Sequence, residues 1–188
     1  MKRKILVILL LVPLFITQLT LPAMAAQASL SDIVVSNTDE HLLVNFTVTG
    51  CFTEDMNKAI ESGLDTTFTF FVKIFEKRDL WNDRKIESKK VSHTIRYDIL
   101  KKHYELSLSE KGPDTIIVKD FEKAKEILAS LEGLKVTPID SLQTDKRYRL
   151  WMMAELDKIR LPLYLHYVFF FLSLWDFETD WYIYDFKY

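Results

Sequence analysis

The sequence has a single cysteine, Cys51, so no disulfide can form within the chain. Stability must therefore come from an apolar core. Glycine is almost as scarce. Gly50, Gly63, Gly112 and Gly133 are the only four, too scattered to build a loop that cradles phosphate. There is no excess of positive charge either, with 25 Lys and Arg against 27 Asp and Glu. That balance excludes the broad basic face a nucleic acid would need. It also gives no overall attraction to anionic lipid.

Catalytic patterns are missing as well. No Gly-x-Ser-x-Gly elbow occurs, and Ser107 and Ser109 sit in an ordinary strand pattern. Cys51 and His41 lie at opposite ends of one extended segment, roughly 30 Å apart, too far for a nucleophile and its base. Cys51 reads instead as a buried apolar thiol. His41, His93, His103 and His166 never fall at metal-ligand spacing. His93 and His103 could face each other across a hairpin, but two imidazoles alone make a poor zinc site. No pair of carboxylates stands out for glycoside chemistry. No catalytic residue, metal or cofactor is assigned, and the chain reads as a non-enzyme.

What the sequence does have begins at its first residues. Lys2-Arg3-Lys4 precedes an apolar run from Ile5 to Ile16, and Ala23-Met24-Ala25 closes the segment with small residues. This is the layout of an export signal over residues 1–25, with cleavage after Ala25. The expected location is the periplasm or cell envelope. An uncleaved signal would serve as a membrane anchor, with the rest of the chain on the same outer side. Residues 26–188 are expected to form one exported domain, without repeat or linker. Losing three basic residues and no acidic one leaves it at 22 against 27, a formal charge of −5.

That domain reads as mainly β, an antiparallel sandwich of about eight strands with two or three helices. Leu42, Val44, Phe46 and Val48 alternate with Leu43, Asn45, Thr47 and Thr49, the period-two signature of a half-buried strand. Thr66–Phe75 is apolar on both faces and suits a central strand. Val91–Tyr97, Tyr104–Leu108, Thr115–Val118 and the long alternation from Lys146 to Asp157 read as further strands. The stretch Ser31–Glu40 is polar. Helices are predicted over Glu54–Ser62, stopped by Gly63, and from an Asp120 cap through Leu131, stopped by Gly133.

The C-terminal region is unusual. Leu161–Trp175 is apolar on nearly every side and opens with Pro162, which predicts a helix. Fifteen residues span about 22 Å, short of a bilayer's roughly 30 Å, so a core helix is expected, with a partner-binding or membrane-touching one as the alternative. Carboxylates and aromatics then interleave. In an extended chain Asp176, Glu178 and Asp180 share one face, and Trp175, Phe177 and Trp181 the other. Trp175, Asp176, Phe177, Glu178, Asp180, Trp181 and Tyr182 form the candidate interaction surface, since Trp and Tyr are enriched at interfaces.

Arg147-Tyr148-Arg149-Leu150, Leu161-Pro162-Leu163-Tyr164-Leu165 and Ser173-Leu174-Trp175-Asp176-Phe177-Glu178-Thr179-Asp180-Trp181 together resemble a family of bacterial exported proteins, the domain of unknown function DUF4390. The resemblance covers most of the exported part in layout and is most specific in its last third. It transfers no catalytic residue. It implies an envelope setting and a link to a membrane sensor kinase, whose outer domain would be the partner. The favoured reading is thus a non-catalytic module that binds an envelope protein. A carrier of a small apolar ligand or lipid, with Leu161–Trp175 lining its cavity, is the alternative. An enzyme of unrecognised type is the third.

Overall fold

A computed structural model describes residues 28–157 and 177–188. The expected export signal, the expected helix Leu161–Trp175, and Trp175 and Asp176 lie outside the described residues. Nine strands and two α-helices follow in chain order among those described. They are β1 (Ser29–Asn37), β2 (His41–Thr49), α1 (Glu54–Glu61), β3 (Thr66–Glu76), β4 (Arg84–Asp98), β5 (His103–Leu108), β6 (Thr115–Val118), α2 (Phe121–Ala129), β7 (Ser130–Pro138), β8 (Arg147–Leu156) and β9 (Tyr182–Lys187).

Two antiparallel sheets result. One has three strands in the order β1-β2-β7, and the other has six in the order β6-β5-β4-β3-β8-β9. A single buried cluster joins them. Phe46 of β2 meets Phe70 of β3 edge to face, with ring centroids 5.8 Å apart. The apolar positions read from the sequence supply this cluster: Phe68, Phe70, Val72 and Ile74 on β3, and Tyr148, Leu150, Met152 and Ala154 on β8, are buried.

Width decides what each sheet face meets. Strands spaced about 4.8 Å apart make a three-stranded sheet roughly 10 Å across and a six-stranded one roughly 24 Å across. β2 lies over β3, so the small sheet cannot reach both edges of the large one. On one side α2 fills in, packing on β4, β5 and β6. Its cap is the expected one, with the Asp120 carboxylate accepting from the Lys123 amide at 2.7 Å. On the other side β9 overhangs. Tyr182 and Tyr184 pair with Met152 and Leu150 and share their core-side face, yet remain 42% and 39% exposed.

Several expectations need correction. The helix from Asp120 stops at Ala129, and the chain passes directly into β7. Gly133 is therefore no helix stop. It lies inside β7 at φ +65°, where Leu131 faces Phe46 and Leu134 faces Val44, one residue too many for the partner strand. This is a β-bulge, and the left-handed backbone it needs suits glycine. The Asn45 side-chain oxygen accepts the Gly133 amide at 2.6 Å. The polar stretch Ser31–Glu40 also proves to contain most of a strand. In β1, Ser31 faces Thr47 and Val34 faces Asn45, again with one residue extra, and Asp32 turns left-handed at φ +51°. Leu30, Ile33 and Val35 pack on the core from either side of that bulge.

Candidate functional site

The C-terminal segment follows the free side of β8. The Leu156 amide donates to the Phe177 carbonyl at 2.9 Å, and Glu155 bridges Glu178. Pairing then slips. Glu155 faces Glu178 but Met152 faces Tyr182, so four steps on this segment oppose three on β8. Thr179 absorbs the mismatch. Its amide donates to the Ala154 carbonyl at 2.9 Å, and its hydroxyl accepts the Ala154 amide at 3.0 Å. The hydroxyl thus replaces the backbone acceptor that the slip removes.

The slip also reassigns faces. Phe177 turns into the core and meets Phe68 edge to face at 5.0 Å, and Phe68 in turn stacks on Phe52 at 5.5 Å. Trp181 falls on the outer face of the large sheet. There it lies 5.8 Å from Trp151, with the Lys73 ammonium 4.3 Å above its ring. The expectation that Phe177 and Trp181 share a face is therefore wrong, because it assumed an uninterrupted strand. Glu178, Asp180 and Tyr182 are exposed.

A cavity of about 400 Å³ opens beside the slip, lined by Ala28, Ser29, Leu30, Asp180, Trp181 and Tyr182. It lies between the edge strands of the two sheets. Further along β9, Arg149 holds Asp185 through two hydrogen bonds of 2.6 and 2.9 Å, and Lys77 adds a third at 2.8 Å. These contacts, the Arg149 bonds first, hold the Asp185 carboxyl well below the usual range. A carboxyl depressed in this way stabilises the fold above its unfolded pKa of about 4, and that contribution drains away as pH falls below it. Asp185→Asn is expected to flatten the acid limb of a plot of melting temperature against pH below about pH 4. An unchanged acid limb would show that the cluster contributes nothing. The carboxyl is partly exposed, so the effect is modest.

Elsewhere the sequence reading needs adjusting. Cys51 is buried, and burial pushes its thiol up to about 12, so it is no nucleophile at neutral pH. His93 and His103 do not face each other, since His93 opposes Leu108 and His103 opposes Asp98. His103 instead joins Asp98 and Glu105, whose ligand atoms all lie within 4.8 Å of one another. Spacing alone missed this trio because a hairpin assembles it. The Lys101 ammonium sits there, 3.1 Å from Asp98 and 3.6 Å from Glu105, in the place a cation would take. Glu178 and Asp180 are not part of any such group among the described residues.

His93 is fully buried, with Nδ1 3.2 Å from the Leu128 carbonyl and Nε2 3.0 Å from Glu110. Its ring lies 4.7 Å from that of Phe70. Burial pulls its pKa down, against the opposing pull of the Glu110 carboxylate. The pair ties β4 to the end of α2 and to the turn after β5.

Residues 25–185 match the model of a family described as a domain of unknown function, DUF4390, and the chain belongs to that family. No activity is assigned to it. No curated protein and no solved structure matches the chain.

Proposed function

We propose that this member of the family is an exported, non-catalytic cell-envelope module that docks a protein partner along its C-terminal edge, residues 177–187. The outer domain of a membrane sensor kinase is the first candidate. The observation that carries the reading is the overhang of β9, the terminal strand among the described residues, which leaves Tyr182 and Tyr184 exposed on its core-side face, with Ile183 exposed on the outer face. A strand at a sheet edge offers unpaired amides and carbonyls, and added strands from partners use that ladder. Exposed aromatics beside it supply the contact area that interfaces favour.

Capture from envelope extracts tests this. Wild type is expected to retain a partner that the triple variant Tyr182→Ala, Ile183→Ala, Tyr184→Ala loses by at least tenfold, as removal of central aromatic contacts does. All three side chains are exposed, so the variant should keep its fold. Retention of the same partner by the folded variant would overturn the proposal.

The cavity beside Trp181 supports a second reading, a carrier of a small apolar ligand or lipid. Its volume of about 400 Å³ lies within the range of ligand pockets. Native mass spectrometry of the purified protein would then show added mass from a bound molecule, and consistently empty spectra would remove this reading.

A further inference from the structure

We propose that the tip of the β3–β4 hairpin is a membrane-surface contact, in which Leu80 and Trp81 enter the head-group region of an anionic bilayer. These two side chains are 91% and 79% exposed, although they are adjacent and strongly apolar. The strands on either side bury their own apolar residues in the core, so the tip has no partner among the described residues.

The loop is tied down around the tip. The Arg78 amide donates to Asp83 at 3.3 Å, and Arg149 lies 3.9 Å from that carboxylate. Arg147 pairs with Asp79. At the base of the loop the Lys77 amide donates to the Arg147 carbonyl at 2.8 Å. Both carboxylates flanking Leu80 and Trp81 thereby pair with β8 arginines, Asp83 partly buried and Asp79 exposed beside Arg147.

Charge identifies the occupant. Residues 76–85 carry four cations against three carboxylates; the two β8 arginines add two cations, and Asp185, bound to Arg149 and Lys77, adds one carboxylate, which leaves six against four. Arg78 and Lys85 have no ion-pair partner among the described residues. An excess of positive charge thus gathers at this end of an otherwise acidic chain. Cations this close to a membrane surface are attracted by anionic head groups. Trp is the side chain most at home at that depth. A specific protein interface buries about 800 Å² on each partner, far more than a two-residue tip can present, whereas a bilayer accepts a small wedge.

The opposite tip of the sheet provides the contrast. Ile99 and Leu100, between β4 and β5, are also exposed, Leu100 at 94%. There, however, the Lys101 ammonium is taken up by Asp98 and Glu105. There Arg96 also pairs with Asp65, and Lys102 is the one cation without an ion-pair partner among the described residues, so that tip is less basic than the first and serves as the internal control.

The test uses the full chain with vesicles of phosphatidylcholine alone and of phosphatidylcholine mixed with phosphatidylglycerol. Wild type is expected to cosediment with the mixed vesicles, more weakly as salt rises, and bromine-labelled acyl chains should quench Trp81. Leu80→Ser with Trp81→Ser should weaken cosedimentation about tenfold, whereas Leu100→Ser should not. If an export segment holds the chain on vesicles regardless, quenching still reports the tip, and its loss in Trp81→Tyr is the expected result. Equal cosedimentation and equal quenching in wild type and tip variants would overturn the proposal. So would wild type that binds neither vesicle. This outcome is independent of partner capture by β9, so the two proposals fail separately.

Discussion

Phe70→Ala is expected to lower the free energy of unfolding by about 4 kcal/mol, a large part of the 5–15 kcal/mol typical of a domain. Phe70 lies in the middle strand pair of the large sheet, fully buried, with Phe46 of the small sheet against it. Truncation removes the ring that both sheets share and opens a cavity that neither sheet can close without shifting. The cost is the lost transfer free energy plus the cavity. Urea unfolding followed by tryptophan fluorescence measures it. A loss below about 1 kcal/mol would mean that the two sheets do not depend on this contact.

His93→Leu is expected to cost about 3 kcal/mol for a different reason. It leaves the Glu110 carboxylate against an apolar wall, with Oε2 already lacking a partner. Removing one member of a buried pair costs more than removing both, because the orphaned charge keeps its desolvation penalty. The double variant His93→Leu, Glu110→Leu should therefore recover at least half of the loss. Denaturant unfolding of the two single variants and the double closes the cycle. A double variant as unstable as the two singles summed would show that the pair does not act as a unit. His93 touches Phe70, so the two core predictions are not additive with each other.

Several strands that were legible in the sequence share one property: their alternation is unbroken. β2, β5 and β8 show it, the continuous apolar run of β3 and the short apolar β6 were legible by composition instead, and each lies close to where it was placed. β1 and β7 were hidden by their bulges. In β7 the buried residues Leu131, Leu134 and Val136 fall at intervals of three and two, which imitates the turn of a helix and lengthened the predicted one. In β1 the bulge at Asp32 separates Leu30 from Ile33 and Val35 in the same way. Period-two reasoning has no term for an extra residue, because the bulge is decided by the register of the partner strand.

The candidate site was legible to the same degree and for the same reason. Glu178, Asp180 and Tyr182 of the candidate surface are exposed. The division of Phe177 from Trp181 was not legible, since it depends on Thr179 opposite Ala154. The overhang of β9 was also beyond reach. It follows from three strands facing six, a count that only the assembled sheets reveal. The Leu80–Trp81 tip carried no periodicity at all, and its exposure is a tertiary fact.

Hydrogen exchange along the chain, with and without the captured envelope partner, tests the docking account most directly. Terminal strands open locally and exchange quickly unless covered. The account predicts that amides of residues 182–187 become strongly protected when the partner binds, with β5 and β6 at the far edge unchanged. Protection confined to that far edge, with 182–187 exchanging as before, would contradict it.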